Sequence, residues 1–216
     1  MKFKCLIIDH DDTAVNSTPF LHYPAYIEAV KILRPKHNIL SLEEYFIKNF
    51  DPGLSNFFRN ELNMNEEELI VEYNIWREFI KNRMPEFFDG FIDLLKEFKG
   101  KGGTIVVASH SDRDIIERDY RRVSFMLDLI FGWDKDEKKR KPSEYIVLEV
   151  IEKFKISPEE ILIIDDLKSG LIMAKNSNVK FGAALWAHNI SKIIEYMKKE
   201  SNYFFKSIED LKEIIF

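Results

Sequence analysis

The chain has 216 residues, 45% hydrophobic and 32% charged, a balance that excludes a disordered chain and a membrane-embedded one. Thirty-two basic against 37 acidic residues give a net charge of −5, so neither nucleic acid nor an anionic membrane is an expected partner. The single cysteine, Cys5, excludes an internal disulfide framework and a cysteine-rich zinc site.

The first apolar run, Cys5-Leu6-Ile7-Ile8, stops at Asp9. It is too short for a signal peptide and reads as a buried strand. No stretch approaches the ~20 apolar residues of a spanning helix, so a cytoplasmic protein is expected, as a monomer or weak dimer. Residues 16–85 are aromatic and helical in pattern. Leu62–Arg83 alone predicts a helix, with Leu69, Tyr73, Trp76 and Ile80 suitably spaced. Pro85 and Gly90 mark the end of this insertion. Phe91 to Phe98 again has helical spacing before Gly100, Gly102 and Gly103. A second apolar run, Thr104–Ala108, stops at Ser109. Tyr145–Phe154 is amphipathic. Ser157-Pro158-Glu159-Glu160 turns into a third run, Ile161–Ile164, which stops at Asp165-Asp166. Val179–Trp186 and Tyr203–Phe205 are further candidate strands.

Alternating strands and helices predict an α/β fold: a Rossmann-like parallel sheet with helices on both faces, and a small all-helical insertion after the first strand. The expected division is residues 1–15 and 86–216 for the core, and 16–85 for the insertion. In such sheets ligands bind beyond the carboxyl ends of the strands. Three of those ends carry Asp9, Ser109 and Asp165-Asp166, with Asp11 and Asp12 close behind Asp9. Crowded carboxylates call for a cation, and hard oxygen donors suit Mg²⁺. Together with a hydroxyl and a lysine they make a phosphate site. Each residue alone has an ordinary explanation: an acid after a strand forms turns, Ser109 can cap a helix with Asp112 three residues on, and Lys138–Lys141 is a solvated basic run. The order of all four is what carries the reading.

Asp9-His10-Asp11-Asp12-Thr13 resembles the Asp-x-Asp-x-Thr motif of the haloacid dehalogenase superfamily. Ser109 resembles its second motif, Lys141-Pro142 its third, and Asp165-Asp166 with Gly170 and Ala174 its fourth. Phe87–Phe91 with Leu94-Leu95 resembles the segment before the second motif. The insertion's position is similar to that in the phosphoglycolate phosphatase and β-phosphoglucomutase branch, where it forms a cap. The sequence departs from the pattern at Asp12, which replaces a common Gly, at His110, where many members carry Asn, and at Gly170, where some carry an acid, so that Asp165 is expected to supply that charge.

The resemblance implies a Mg²⁺-dependent phosphatase acting on a small phosphorylated metabolite through an aspartyl-phosphate. It casts Asp9 as nucleophile and Asp11 as general acid and base. Thr13, Ser109 and Lys141 are phosphate-binding, and Asp9, Asp11 (through its carbonyl), Asp165 and Asp166 form the metal set. His10, His22, Tyr23 and His110 are candidate substrate contacts, and Tyr26, Arg34, Arg59, Trp76 and Arg77 are further cap residues of interest; for His10 and His110 packing or a backbone hydrogen bond is the alternative role, and for the cap residues packing or a solvated face. Asp11 argues against carbon–halogen hydrolysis, because dehalogenases of the superfamily lack it. A phosphosugar mutase, a phosphonate hydrolase and a low-turnover binding or regulatory module on the same fold are the alternatives.

Overall fold

The computed structural model describes residues 1–216. The chain forms two compact units, Met1–Val15 with Phe87–Phe216, and Asn16–Glu86. Strand β1 (Cys5–Ile8) precedes the second unit, which holds α1 (Tyr23–Leu33), α2 (Leu42–Phe50), the single turn α3 (Leu54–Asn56) and α4 (Glu66–Ile80). The first unit then resumes with α5 (Phe91–Gly100), β2 (Thr104–Ala108), α6 (Arg113–Arg122), β3 (Leu129–Phe131) and α7 (Tyr145–Phe154). It ends with β4 (Ile161–Asp165), α8 (Lys168–Asn176), β5 (Lys180–Ala184), α9 (Ser191–Glu200), β6 (Tyr203–Phe205) and α10 (Ile208–Ile215).

The six strands form one sheet in the order β3-β2-β1-β4-β5-β6, and every pair is parallel. The expected Rossmann-like α/β architecture is therefore present. All residues of β1 and β4 are buried, as required of strands covered on both faces, and their unbroken apolar runs reflect this. Ile8 pairs with Val107 on one side and Ile164 on the other, so the next residues, Asp9, Ala108 and Asp165, emerge level. From β1 the chain continues to β2 and β3 on one side, and to β4, β5 and β6 on the other. This switch point is where an open sheet leaves a crevice at its carboxyl edge.

The helical unit is built around Tyr26, Val30, Tyr45, Phe57, Phe58, Leu62 and Met64. Its helix starts are locally encoded. Ser41 with Glu44, and Asn65 with Glu68, form reciprocal capping boxes. The helix expected over Leu62–Arg83 begins instead at Glu66. Asn63 is left-handed, with φ +49°, and Asn65 caps the helix start. No helix of the chain is long and apolar enough to cross a membrane.

Candidate active site

The turn after β1 is tied down by its own backbone. His10 O accepts from Ala14 N at 2.9 Å and Val15 N at 3.0 Å, and Val15 O accepts from Asp12 N at 2.7 Å. Asp12 takes the left-handed conformation, φ +56°, which Asp tolerates better than most residues. That conformation explains why Gly is common at this place in the motif.

Three acids meet at the carboxyl edge of the sheet. One carboxylate oxygen from each of Asp9, Asp165 and Asp166 lies within 4.8 Å of the others, and all three residues are buried. Lys141 sits among them: its Nζ is 2.8 Å from Asp9 Oδ1 and 2.6 Å from Asp165 Oδ2. Leu167 N donates to Asp165 Oδ1 at 2.7 Å, and Thr13 Oγ1 donates to Asp166 Oδ1 at 3.3 Å. A Cβ on Gly170 would lie 2.2 Å from Asp165 Oδ2. The Asp165 side chain therefore occupies the space that a side chain at 170 would need.

The charges do not balance. Burial alone would push the Lys141 ammonium down, but Asp165 and Asp9 outweigh it and hold it above its ordinary value. Burial, then the like charges of Asp165, Asp12 and Asp9, drives the Asp166 carboxyl well above its ordinary value. One ammonium thus serves Asp9 and Asp165 directly, and the crowding of acids beside it favours the protonated form of Asp166 unless a further cation is bound. Buried oxygen donors left short of positive charge fit a divalent cation of the Mg²⁺ type, and Asp9, Asp165 and Asp166 are placed to hold it.

Asp11 is held by two hydroxyls. Its Oδ2 accepts from Ser111 Oγ at 2.6 Å and from Ser109 Oγ at 3.3 Å, while Ser111 N donates to Ser109 Oγ at 3.1 Å. Two neighbouring acids of one turn are therefore set in different company: Asp9 beside an ammonium, Asp11 beside two hydroxyls.

Residues 6–184 match the model of the haloacid dehalogenase-like hydrolase family. The chain belongs to this family. No curated protein matches the chain. The hydrolase is similar in fold to three solved structures that between them show how far sequences on this scaffold have diverged. A predicted phosphatase from Clostridium acetobutylicum is 21% identical, with TM-score 0.77 over 100% of this chain and 99% of that one. A predicted phosphoglycolate phosphatase from Haemophilus somnus is 16% identical, with TM-score 0.79 over 99% and 98%. A haloacid dehalogenase-like hydrolase from Streptococcus pneumoniae is 17% identical, with TM-score 0.73 over 99% and 97%.

The remaining candidate residues of the hydrolase have diverse surroundings. His10 is buried, and its Nε2 lies 3.2 Å from Asp119 Oδ2. His110 is exposed, and its Nε2 donates to the Lys141 carbonyl at 3.3 Å. In the helical unit, His22 Nδ1 accepts from Trp76 Nε1 at 2.9 Å, and Tyr23 OH donates to the Leu40 carbonyl at 2.9 Å. Arg34 and Arg59 pair with Glu68 and Glu66, and Tyr26 is buried. Two residues of the core gain importance that sequence reasoning did not give them: Ser111 and Asp119. Ser111 stands two residues after Ser109, a visible Ser-x-Ser signal. Asp119 lies in a charged helix and had no such mark.

Proposed function

We propose that this hydrolase is a Mg²⁺-dependent phosphatase of small phosphate esters that works through an aspartyl-phosphate on Asp9. The observation that carries the reading is the buried set of Asp9, Asp165 and Asp166, with Lys141 on Asp9 and Asp165 and with Ser109 and Ser111 on Asp11. Asp9, Asp165, Asp166 and the Asp11 backbone carbonyl would hold Mg²⁺, which when bound supplies the positive charge that offsets the carboxylates and draws electrons from the phosphoryl group.

An oxygen of Asp9 attacks phosphorus in line and forms the new P–O bond as the ester P–O bond breaks. Asp11 gives its proton to the departing oxygen. It then takes a proton from a water whose oxygen attacks phosphorus, and the bond to Asp9 breaks, releasing phosphate and the Asp9 carboxylate. Ser109 and Lys141 steady the phosphoryl oxygens during transfer, where charge is greatest. Thr13 holds Asp166 in place. Residues 16–85 would serve as the cap, with His22 and Tyr23 as its substrate contacts, and His110 would contribute from the core.

Hydrolysis of an aryl phosphate tests the reading. Turnover is expected with Mg²⁺ and is expected to vanish in excess chelator and return on adding Mg²⁺ back. Full turnover in metal-depleted protein removes the metal from the mechanism, and no turnover on any phosphate ester removes the phosphatase.

A further inference from the structure

His10 stands between two acids with separate tasks, yet its side chain goes elsewhere. Its ring lies in an aromatic pocket, with ring centroids 5.7 Å from Tyr120 and 6.5 Å from Phe87. Its Nε2 is 3.2 Å from Asp119 Oδ2. His10 is 1% exposed and Asp119 is fully buried. Because a carboxylate oxygen accepts, Nε2 carries the proton. The other oxygen, Asp119 Oδ1, accepts from Arg118 Nε at 2.9 Å.

Packing alone does not explain this pair. An apolar side chain would fill an aromatic pocket without burying a carboxylate, and buried ionic groups are seldom more stabilising than well-packed apolar ones. What a hydrogen bond adds is direction. An aromatic pocket lets a ring slide and turn, whereas a bond to a fixed acceptor on a helix sets one orientation. The same residue's carbonyl accepts from Ala14 N and Val15 N. Residue 10 is therefore the point where the turn is fastened both to itself and to α6.

We propose that His10 and Asp119 are positioning residues: the His10–Asp119 hydrogen bond anchors the turn after β1 to α6 and so fixes Asp9 and Asp11 for their two steps. The inference rests on the phosphatase reading for its kinetic consequence, but the anchoring itself is a property of the fold. Neither residue touches the substrate. Each acts through the backbone of its neighbours.

The test compares His10→Gln with His10→Met. The two side chains have similar length, but only Gln donates a hydrogen bond. With an aryl phosphate and Mg²⁺, His10→Met should lose ~10–100-fold in kcat, the scale expected when reacting groups shift by about 1 Å. KM should stay within about twofold, and His10→Gln should recover most of the loss. The Ala14 and Val15 amides should exchange faster in His10→Met than in His10→Gln. Equal kcat in the two variants, whether both wild-type or both impaired, overturns the proposal. Should neither variant fold, the wild-type protein still decides: with ¹⁵N-labelled histidine, His10 must show a slowly exchanging proton on Nε2, and a bare Nε2 overturns it. A wild-type protein with no Asp9-dependent turnover defeats the phosphatase reading instead, while the exchange and ¹⁵N measurements still report on the anchor.

Discussion

The two units treat their polar groups in opposite ways. In the helical unit, Arg34, Lys48 and Arg59 are each paired with a glutamate where they stand. Arg34 is the clearest case: its guanidinium donates to the carbonyls of Leu33, Leu62 and Asn63 and grips both oxygens of Glu68. Glu68 is held down at about 2, first by its bond from Arg34 and then by the Asn65 backbone of its capping box. In the core unit the sheet edge crowds Asp9, Asp165 and Asp166 together, with Lys141 bound to Asp9 and Asp165, and the crowding pushes the Asp166 carboxyl well above its ordinary value. A fold selected only for stability would not keep that crowding, because burying acids against one another raises its free energy. The contrast separates polar groups that hold a structure from polar groups that wait for a ligand.

The largest effect that tests this contrast is chemical. Asp9→Asn removes the nucleophile and should cut turnover on the order of 10⁴-fold or more, with the melting temperature held or raised because one buried charge has gone. Asp11→Asn should lose ~10²–10⁴-fold and, with a good leaving group, accumulate a phosphorylated protein seen by intact mass. Labelling of Asp9→Asn but not Asp11→Asn would reverse the two roles.

Lys141→Met reaches further into stability. It leaves Asp9 and Asp165 buried without their ammonium, and removing one partner of a buried pair typically costs about 3–5 kcal/mol. Denaturant unfolding of the metal-free variant should show a loss of this size, partly restored by Mg²⁺. An unchanged unfolding midpoint would mean that the cluster is not held together by Lys141, and the contrast between the units would fail.

How much of this could be read beforehand follows the same division. β1, β2 and β4 announce themselves because strands buried on both faces must be continuously apolar, and each ends at the acid or hydroxyl that forms the sheet edge. β3 escaped notice: it is three half-buried residues at the edge of the sheet, Leu129–Phe131, too short to show a pattern. Residues fixed by chain order, such as Asp9, Lys141 and Asp165, were legible, and the structure brings them within hydrogen-bond reach of one another. Residues whose importance comes from packing were not. Asp119 sits among Arg113, Asp114, Glu117, Arg118, Arg121 and Arg122 in a helix that looks solvated, and only the docking of α6 shows it to be fully buried. Asp12 reads both as a replaced glycine and as one of the crowded acids, and its carboxylate does act on Asp166.

In the helical unit the expected effects are smaller and local. Arg34→Met removes the donors to three carbonyls and to Glu68, a loss of about 2 kcal/mol for bonds to and from a partly buried charged group. Amide exchange in α1 and α4 should rise roughly 30-fold, the equivalent of that energy at ambient temperature, while exchange in β1 and β4 stays unchanged. A comparable rise in the central strands would mean that the two units unfold together and that their polar networks cannot be judged separately.

Glu72 in the helical unit stands in contrast to these pairs and gives the smallest test. It lies one turn before Trp76 on α4, and Trp76 donates to His22. Burial pushes the Glu72 carboxyl up to about 7 from an ordinary 4.5, against the smaller downward pull of His22. Here the folded chain binds a proton more tightly than the unfolded chain does. Between about pH 4.5 and about pH 7 the unfolded state therefore carries fewer protons at this site, and stability falls as pH rises through that window. Below it both states are protonated and the group is neutral in its effect; above it the full cost of a buried carboxylate remains. Glu72→Gln keeps the shape and removes the titration. It should melt with wild type near pH 4.5 and above it at pH 8, by ~1–2 kcal/mol, or roughly 2–8 °C for a chain of this size. Melts across that range check the sign as well as the size. A constant difference at every pH would show that Glu72 is solvated like its exposed neighbours on α4, and that no carboxyl of this helix is held against its ordinary titration by burial.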